Sequence, residues 1–210
     1  MNVLVVKGNN RPDGITTKMY ETFMEEVKDN SDLNITTYDV FAEDMPYFGQ
    51  DLFNALTKME AGERLNDVEQ RLLDAKQKAK DALEAADVIV LAFPLWNFTI
   101  PAKLHTFIDY VSEAGFTFKY TAEGIKPLMP GKKVILLNAR GGVYSTEEMA
   151  PMDMSVNFMR NVFGGLYGMD IVDEVIIEGH NAMPDKAEAI IDEGMTKVKE
   201  AARNLAYQYA

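Results

Sequence analysis

The chain has 210 residues, of which 47% are hydrophobic and 26% are charged, a balance that predicts one globular domain with a substantial core. Its formal net charge of −12 argues against nucleic-acid binding, because that function needs a basic face that neutralises phosphates. Cysteine is absent, which excludes disulfides, a thiolate nucleophile and cysteine-ligated metal centres.

Other simple features narrow the class further. The two histidines, His105 and His180, are far apart in sequence and form no metal-binding motif, so no metal site is predicted. The longest apolar run, over residues 88–96, contains a proline and is too short to cross a bilayer. Met1 leads directly into the apolar residues 3–6 without a basic leader, which predicts a cytoplasmic protein.

The chain opens with a predicted strand and a predicted helix. Residues Asn2–Lys7 (NVLVVK) form a continuous β-branched apolar run, which is typical of a strand buried on both faces. After a turn-rich stretch, an apolar pattern of helical period comprises Met19, Tyr20, Phe23, Met24 and Val27. Thr16 or Thr17 is the expected N-cap of this helix, because a side-chain oxygen there accepts hydrogen bonds from free N–H groups of the first turn.

The next region alternates clear and weak patterns. Residues 34–38 have the pattern of a second strand. An excursion over about residues 39–65 combines prolines and glycines with an apolar cluster, and is predicted to form a loop and a short helix lying on the domain. Residues 66–86, rich in Ala, Lys, Glu and Leu, are predicted to form a long helix.

The second half of the chain continues the alternation of strands and helices. Residues 88–93 (VIVLAF) form the most hydrophobic strand and should be central. Pro101 marks the first turn of a helix over residues Ala102–Val111. The remaining predicted elements are a strand over residues 133–139, a helix over about 153–163, a strand over 172–177 and a closing helix over 184–207.

This alternation predicts an α/β protein with a single five-stranded parallel sheet, because parallel strands need crossover connections that place helices on both faces. With right-handed crossovers, we expect a flavodoxin-like three-layer sandwich with strand order 2-1-3-4-5, spanning residues 1–210. The switch point of that order lies at the carboxyl ends of strands one and three. A ligand site is therefore expected in the segments after Lys7, Phe93 and Ala139.

The segment after the first strand, residues 8–17, carries no GxGxxG turn and no GxxxxGK[ST] loop. It leads hydroxyl residues into the start of a helix, where free N–H groups and the positive end of the dipole suit a phosphate monoester. The alternative interpretation is that Thr16 and Thr17 only cap the helix.

The segment after the third strand has an aromatic pair between two prolines. Pro94 and Pro101 stiffen the backbone, so that the N–H and C=O groups of Trp96, Asn97 and Phe98 can be held outward on an apolar ledge. A flat heteroaromatic ring needs this combination of apolar contact and backbone hydrogen bonds. The alternative is a Trp–Phe pair buried in the core.

The segment after the fourth strand contains paired glycines. Gly141 and Gly142 let the backbone approach a ligand where a Cβ atom would clash. Arg140 would offset the charge that builds on a reduced ring, or would serve as a surface ion-pair partner.

Together these segments resemble the FMN-dependent NADH-azoreductase family, whose members are also quinone reductases. The resemblance covers almost the whole chain, in the stretches VVKGNNRP, PLWNFTIPAKLHTFIDYVSEAGFTFKYT, LLNARGGVYS and VIIEGHNAMPDKAE. A [MLF]-[YW]-N-F segment after strand three, combined with S/A-R-G-G after strand four, is fairly specific to this family.

The resemblance implies a set of cofactor-binding residues. In the family, the helix start binds the FMN phosphate, which corresponds here to Asn9, Gly14, Ile15, Thr16 and Thr17. Gly14 and Thr16 replace the family's usual serines, which shifts weight to backbone donors. The isoalloxazine ring would contact Pro94, Leu95, Trp96, Asn97, Phe98, Ala139, Arg140, Gly141 and Gly142. Ala139 supplies no hydroxyl, and Tyr120 resembles a substrate-pocket residue near the open face of the flavin.

The resemblance also implies one tightly bound FMN per subunit, NADH or NADPH as hydride donor, and quinones and azo compounds as substrates. Family members are homodimers with two sites near the interface. No catalytic side chain is expected, because the chemistry takes place at flavin N5 in a ping-pong cycle. His105 is suited to protonating a product, although a structural role on its helix is favoured. The alternatives are a flavodoxin-type electron carrier without a substrate pocket and a flavin-free scaffold protein.

Overall fold

The computed structural model describes residues 1–208, with side chains described to residue 205. The strands, in chain order, are β1 (Asn2–Lys7), β2 (Asn34–Asp39), β3 (Val88–Pro94), β4 (Phe118–Thr121), β5 (Gly124–Pro127), β6 (Lys133–Arg140) and β7 (Asp170–Glu178). A five-stranded parallel sheet has the order β2-β1-β3-β6-β7, which confirms the predicted flavodoxin-like order 2-1-3-4-5. β4 and β5 form a separate antiparallel hairpin.

Helices cover both faces of the sheet. They are α1 (Ile15–Val27), α2 (Gln50–Ala61), α3 (Asp67–Ala85), α4 (Ala102–Val111), α5 (Val156–Met159) and α6 (Ala187–Gln208). Side chains of α1 and α6 pack in one core cluster, and side chains of α3 and α4 pack in the other. The strand that was predicted to be central, β3, lies in the middle of the sheet with all its residues buried.

The alternation of side chains along β1 explains why it appears as one apolar run. Val3 and Val5 point into the cluster that contains α1 and α6, whereas Leu4 and Val6 point into the cluster that contains α3 and α4. A strand with helices on both faces has no polar side, so its sequence shows no period of two. The continuous hydrophobicity of β1 thus follows from its position inside the sandwich.

The start of the first helix differs from the prediction. α1 begins at Ile15, and Gly14 occupies the N-cap in an extended conformation with no side-chain cap. Thr16 and Thr17 lie inside the first turn, so the predicted threonine N-cap was wrong. Helix α3, unlike α1, has a capping box. The Asn66 side chain accepts a hydrogen bond from the Glu69 N–H, and the Glu69 carboxylate accepts one from the Asn66 N–H.

Two further elements differ from the prediction. The helix predicted over 153–163 is a short α5 that continues as a π-helix, Arg160–Leu166. Asp153, the predicted start, lies before α5 rather than inside it. Its carboxylate accepts hydrogen bonds from the N–H groups of Ser155 and Val156. No element was predicted for the β4–β5 hairpin, whose four-residue strands bury few of their side chains.

Candidate functional site

A cavity of about 450 Å³ lies where the carboxyl ends of β1, β3 and β6 meet, the position that the strand order predicts. This volume is within the usual range for small-molecule sites, about 300–1,000 Å³. The residues that line it are Asn9, Arg11, Asp13, Gly14, Ile15, Pro94, Leu95, Trp96, Ala139, Arg140, Gly141, His180, Asn181, Ala187 and Ile191. All three predicted segments therefore border one cavity.

The start of α1 presents free backbone donors at this cavity. The first backbone bond of the helix runs from the Lys18 N–H to the Gly14 carbonyl, so the three preceding N–H groups, at residues 15–17, have no helical acceptor. Gly14 is required here, because a Cβ atom at this position would lie 2.8 Å from Nδ2 of Asn9. The segment thus offers a set of anion-binding groups.

The two threonines of the first turn have different roles. The Thr17 hydroxyl donates to the Arg11 carbonyl at 2.6 Å and accepts from Asn9 Nδ2 at 2.8 Å, so it braces the loop. The Thr16 side chain makes no hydrogen bond to another described residue. Neither threonine lines the cavity, whereas Gly14 and Ile15 do.

The segment after β3 forms a tight left-handed turn. Trp96 and Thr99 exchange backbone hydrogen bonds of 2.8 and 3.0 Å around Asn97 and Phe98, which have φ values of 50° and 67°. This conformation is uncommon outside glycine and costs about 1–3 kcal/mol per residue. Contacts at both ends support it, since Leu95 N–H donates to the Ala139 carbonyl at 3.0 Å and the Phe98 carbonyl accepts from Met154 at 2.9 Å.

The aromatic residues of this turn are not part of the core, which excludes the alternative of a buried Trp–Phe pair. Phe98 is 39% exposed and lies edge-on to Tyr144, with 6.2 Å between ring centroids. Trp96 borders the main cavity on one side and a neighbouring cavity of about 750 Å³ on the other. Asn97 lines only the neighbouring cavity, together with Tyr47 and His105.

The glycine pair after β6 makes room for a protein side chain. A Cβ atom on Gly141 would lie 2.3 Å from Nδ2 of Asn181. Gly141 also lines the cavity, and its predicted contact with a ligand stays a prediction. The Gly141 carbonyl accepts from the N–H groups of Asn181 and Ala182 at 3.0 and 3.1 Å, and the Gly142 carbonyl accepts from Gly179 at 3.0 Å. The loop after β6 is thereby tied to the loop after β7.

Arg140 is neither a free cation nor a surface ion-pair partner. Its side chain is 4% exposed, its Nη1 contacts Asp153, and its Nε donates to Glu178 at 3.0 Å. The alternative of a surface ion pair was therefore wrong, because the guanidinium engages two carboxylates in the protein interior. The role of Arg140 toward a reduced ring stays a prediction.

The two carboxylates that bind Arg140 are held ionised. Burial alone would raise the pKa of Asp153, but hydrogen bonds from Arg140, Val156 and Ser155 outweigh it and place the pKa below its ordinary value. For Glu178, burial likewise opposes ionisation, and bonds from Ser145, Tyr144 and Arg140 again lower the pKa overall. Both groups are anionic at neutral pH.

The sequence reasoning missed His180 and Asn181 as cavity residues. They follow the carboxyl end of β7, a fourth strand that the switch-point rule did not include. Nδ1 of His180 is buried without a hydrogen-bond partner. Burial lowers the pKa of this imidazole, so it is neutral at pH 7.

Two other candidate residues lie outside the main cavity. Tyr120 is on the β4–β5 hairpin, 72% exposed and edge-on to Phe118, and it lines neither cavity of this chain. Its substrate-pocket role stays a prediction. His105 stacks on Phe158, with 5.3 Å between centroids, and its Nδ1 lies 3.4 Å from Asp109. Within residues 1–208, no cluster of three or more metal-ligating side chains occurs, and no helix is both long and apolar enough to span a membrane.

The doubly wound sheet and the cavity at its switch point define the flavodoxin-like class. A family model described as "Flavodoxin-like fold" matches residues 1–202. The chain is 45% identical over 203 residues to FMN-dependent NADH:quinone oxidoreductase 1 of Bacillus subtilis (strain 168), covering 95% of this chain and 97% of that protein. It is 44% identical over 205 residues to FMN-dependent NADH:quinone oxidoreductase of Brevibacillus brevis, covering 96% and 98%.

Solved structures agree with these relatives. The crystal structure of azoreductase from Bacillus anthracis str. Sterne superposes with a TM-score of 0.88 at 41% identity, covering 96% of this chain and 98% of that one. The chain therefore belongs to the flavodoxin-like family of FMN-dependent NADH:quinone oxidoreductases and azoreductases, which confirms the resemblance found in its sequence.

Proposed function

We propose that this chain is an FMN-dependent oxidoreductase that transfers hydride from NADH or NADPH to quinones and reductively cleaves azo compounds in a ping-pong cycle. The observation that carries the proposal is that free N–H groups at the start of α1 and the apolar ledge at Trp96 border one cavity. A phosphate and a flat ring in a single ligand require this combination. The names of relatives at 44–45% identity support the same reading.

The residues present fit FMN. The free N–H groups at the start of α1, beginning with that of Ile15, would hold the phosphate. The Thr16 hydroxyl, which lies behind the cavity wall, would have to turn toward the phosphate to act as a further donor. Arg11 and Asp13 also line this part of the cavity and lie 3.7 Å apart, so they offset each other and leave the backbone as the main anion-binding group. Pro94, Leu95 and Trp96 would supply the apolar wall for the ring.

When bound, FMN would supply the group that accepts hydride from the nicotinamide and passes it on. The chain's part is to bind, orient and exclude water, which agrees with a sequence that has no cysteine. The left-handed turn fixes Phe98 at the protein surface beside Tyr144, where the two rings offer an aromatic edge to an incoming flat molecule. In a ping-pong order, donor and acceptor would use this one place in succession.

We further propose that the chain acts as a homodimer. In one chain Tyr120 lies on an exposed hairpin with Ile125, which is 55% exposed, and away from the cavity residues. A role for Tyr120 in a substrate pocket therefore requires a second copy, whose hairpin would reach the cavity. Sedimentation of the purified chain at twice the monomer mass would support this arrangement, whereas full activity from a monomer would overturn it.

Steady-state kinetics test the proposed reaction. Rapid NADH oxidation in the presence of a quinone, with parallel double-reciprocal plots at varied quinone concentration, is the expected result. Intersecting plots would contradict the ping-pong order alone. A flavin-loaded chain that oxidises no NADH with any quinone or azo dye would instead identify an electron carrier.

A further inference from the structure

A buried ionic cluster lies directly beneath the loop after β6. Arg140 binds Asp153 through Nη1 and Glu178 through Nε, at the end of the strand that borders the cavity. The same Glu178 carboxylate accepts from the Tyr144 N–H at 2.8 Å and from the Ser145 hydroxyl. One acidic side chain thus fixes the course of the loop after β6, whose first residue, Gly141, lines the cavity together with Arg140 at the end of the strand.

The charges of this cluster do not balance. One guanidinium faces two carboxylates, and the other hydrogen-bond donors, from Ser145, Ser155 and the backbone, are neutral. Arg160 also interacts with Asp153, but its charge is offset by its pair with Glu174. The side chains of Arg140 and Asp153 are 4% and 7% exposed, and that of Glu178 is 19% exposed. The cluster therefore carries a net charge of about −1 in a region where solvent screening is weak.

Other charges near the cavity do not cancel this excess. Arg11 and Asp13 form a mutual, exposed pair. Lys7, at the end of β1, is paired with Asp39 at 2.9 Å. His180 is neutral, so no described side chain that lines the cavity supplies an uncompensated positive charge.

We propose that the Asp153–Arg140–Glu178 cluster lowers the reduction potential of the bound FMN. This inference rests on the proposed function. Reduction adds negative charge to the flavin ring, and a fixed negative charge beneath the adjacent loop disfavours that change. The cluster thereby favours transfer of reducing equivalents onward to an acceptor. This effect is opposite in sign to the one expected if Arg140 acted as a free cation.

The midpoint potential of the flavin is the measurement that tests the proposal. In the wild-type chain, the potential of bound FMN should be more negative than that of free FMN in the same buffer, and a more positive value would overturn the proposal. Glu178→Gln keeps the side-chain shape and removes one negative charge. We expect it to raise the potential by about 30 mV, a tenfold change in the two-electron equilibrium. An unchanged or lower potential in this variant would refute the assignment.

Two controls separate charge from structural support. Asp170→Asn makes the same charge change at the other, exposed end of β7, so the potential should not move. Ser145→Ala removes a hydrogen bond to Glu178 without changing charge, so the potential should again stay in place. A shift in Ser145→Ala equal to that in Glu178→Gln would refute the electrostatic cause.

A second variant tests the same effect in case Glu178→Gln folds poorly. Asp153→Asn removes the same unit of charge from the other side of Arg140 and should raise the potential in the same direction. A chain that binds no FMN would contradict the proposed function itself. A chain that binds FMN without these shifts would contradict only the inference drawn from the cluster.

Discussion

The two sides of the cavity are stabilised in different ways. On the β1 side, neutral local bonds suffice, since Asn9 and Thr17 brace a loop only a few residues long. On the β6 side, the loop depends on charged and amide groups from distant parts of the chain, Asp153, Glu178 and Asn181. One side of the cavity is therefore stabilised by contacts within its own loop, whereas the other side depends on residues from other elements.

The largest expected effect breaks the distant support. Glu178→Ala leaves Arg140 with one partner and frees the Tyr144 N–H and the Ser145 hydroxyl. We expect the free energy of unfolding to fall by about 3 kcal/mol, because Arg140 Nε and the Tyr144 N–H lose their acceptor, and a buried donor without a partner costs about 1–3 kcal/mol. Urea denaturation measures this loss.

The matched control for that variant is Glu174→Ala. Glu174 lies on the same strand as Glu178, and its ion pair with Arg160 is more exposed. Its cost should stay below about 1 kcal/mol. Equal losses in the two variants would show that the β6 side does not depend on the buried cluster in the way described.

The second prediction concerns the contact between the two loops. Gly141→Val places a Cβ atom against Asn181 and should cost about 2 kcal/mol, because backbone and side chain must shift to admit it. FMN affinity should fall with it, since Gly141 lines the cavity. Gly141→Ala should be rescued in stability by Asn181→Ala, and a double-mutant cycle measures that coupling. Additive losses would contradict the assigned clash.

The pH dependence of stability distinguishes the two sides further. The pKa values of Asp153 and Glu178 are lowered in the folded chain, so their stabilisation is present above the unfolded values of about 4 and is lost as pH falls through the folded ones. The free energy of unfolding should therefore decrease as the pH falls below about 5, where carboxylates of the unfolded chain begin to take up protons. Glu178→Gln should make this decrease less steep, because up to one proton fewer is taken up on unfolding. Thr17→Val, on the neutral side, should lower stability by about 1 kcal/mol at every pH.

The smallest expected effect tests the phosphate end of the cavity. Thr16→Ala removes a hydroxyl without a protein partner and should weaken FMN binding a few-fold, or by about 1 kcal/mol, with little effect on riboflavin, which has no phosphate. Thr22→Ala on the same helix, where the hydroxyl contacts Met195, serves as the control. Equal losses of FMN and riboflavin affinity would refute the phosphate assignment.

The sequence predicted those parts of the molecule that depend on local patterns. Strand β1 and helix α4 were predicted to the residue, since one is a continuous apolar run and the other starts after Pro101. The strand order followed from alternation and handedness. The same rule identified the three segments that border the cavity.

The rest depends on contacts between residues that are distant in sequence. Nothing in the run of residues around Gly141 indicates that Asn181 fills the space beside it. The burial of Arg140 between two carboxylates also could not be predicted without the fold, because arginine is usually exposed. The hairpin was missed because its short strands are half polar and carry no long apolar pattern.

The most direct measurement uses Trp96, the only tryptophan in the sequence, as a reporter at the wall of the cavity. Titration of the flavin-free chain with FMN should quench the Trp96 emission in step with binding, at one FMN per chain, because the ring would lie beside the indole. FMN that binds without changing this emission, or that does not bind, would contradict the claim that the cavity between β1, β3 and β6 is the flavin site.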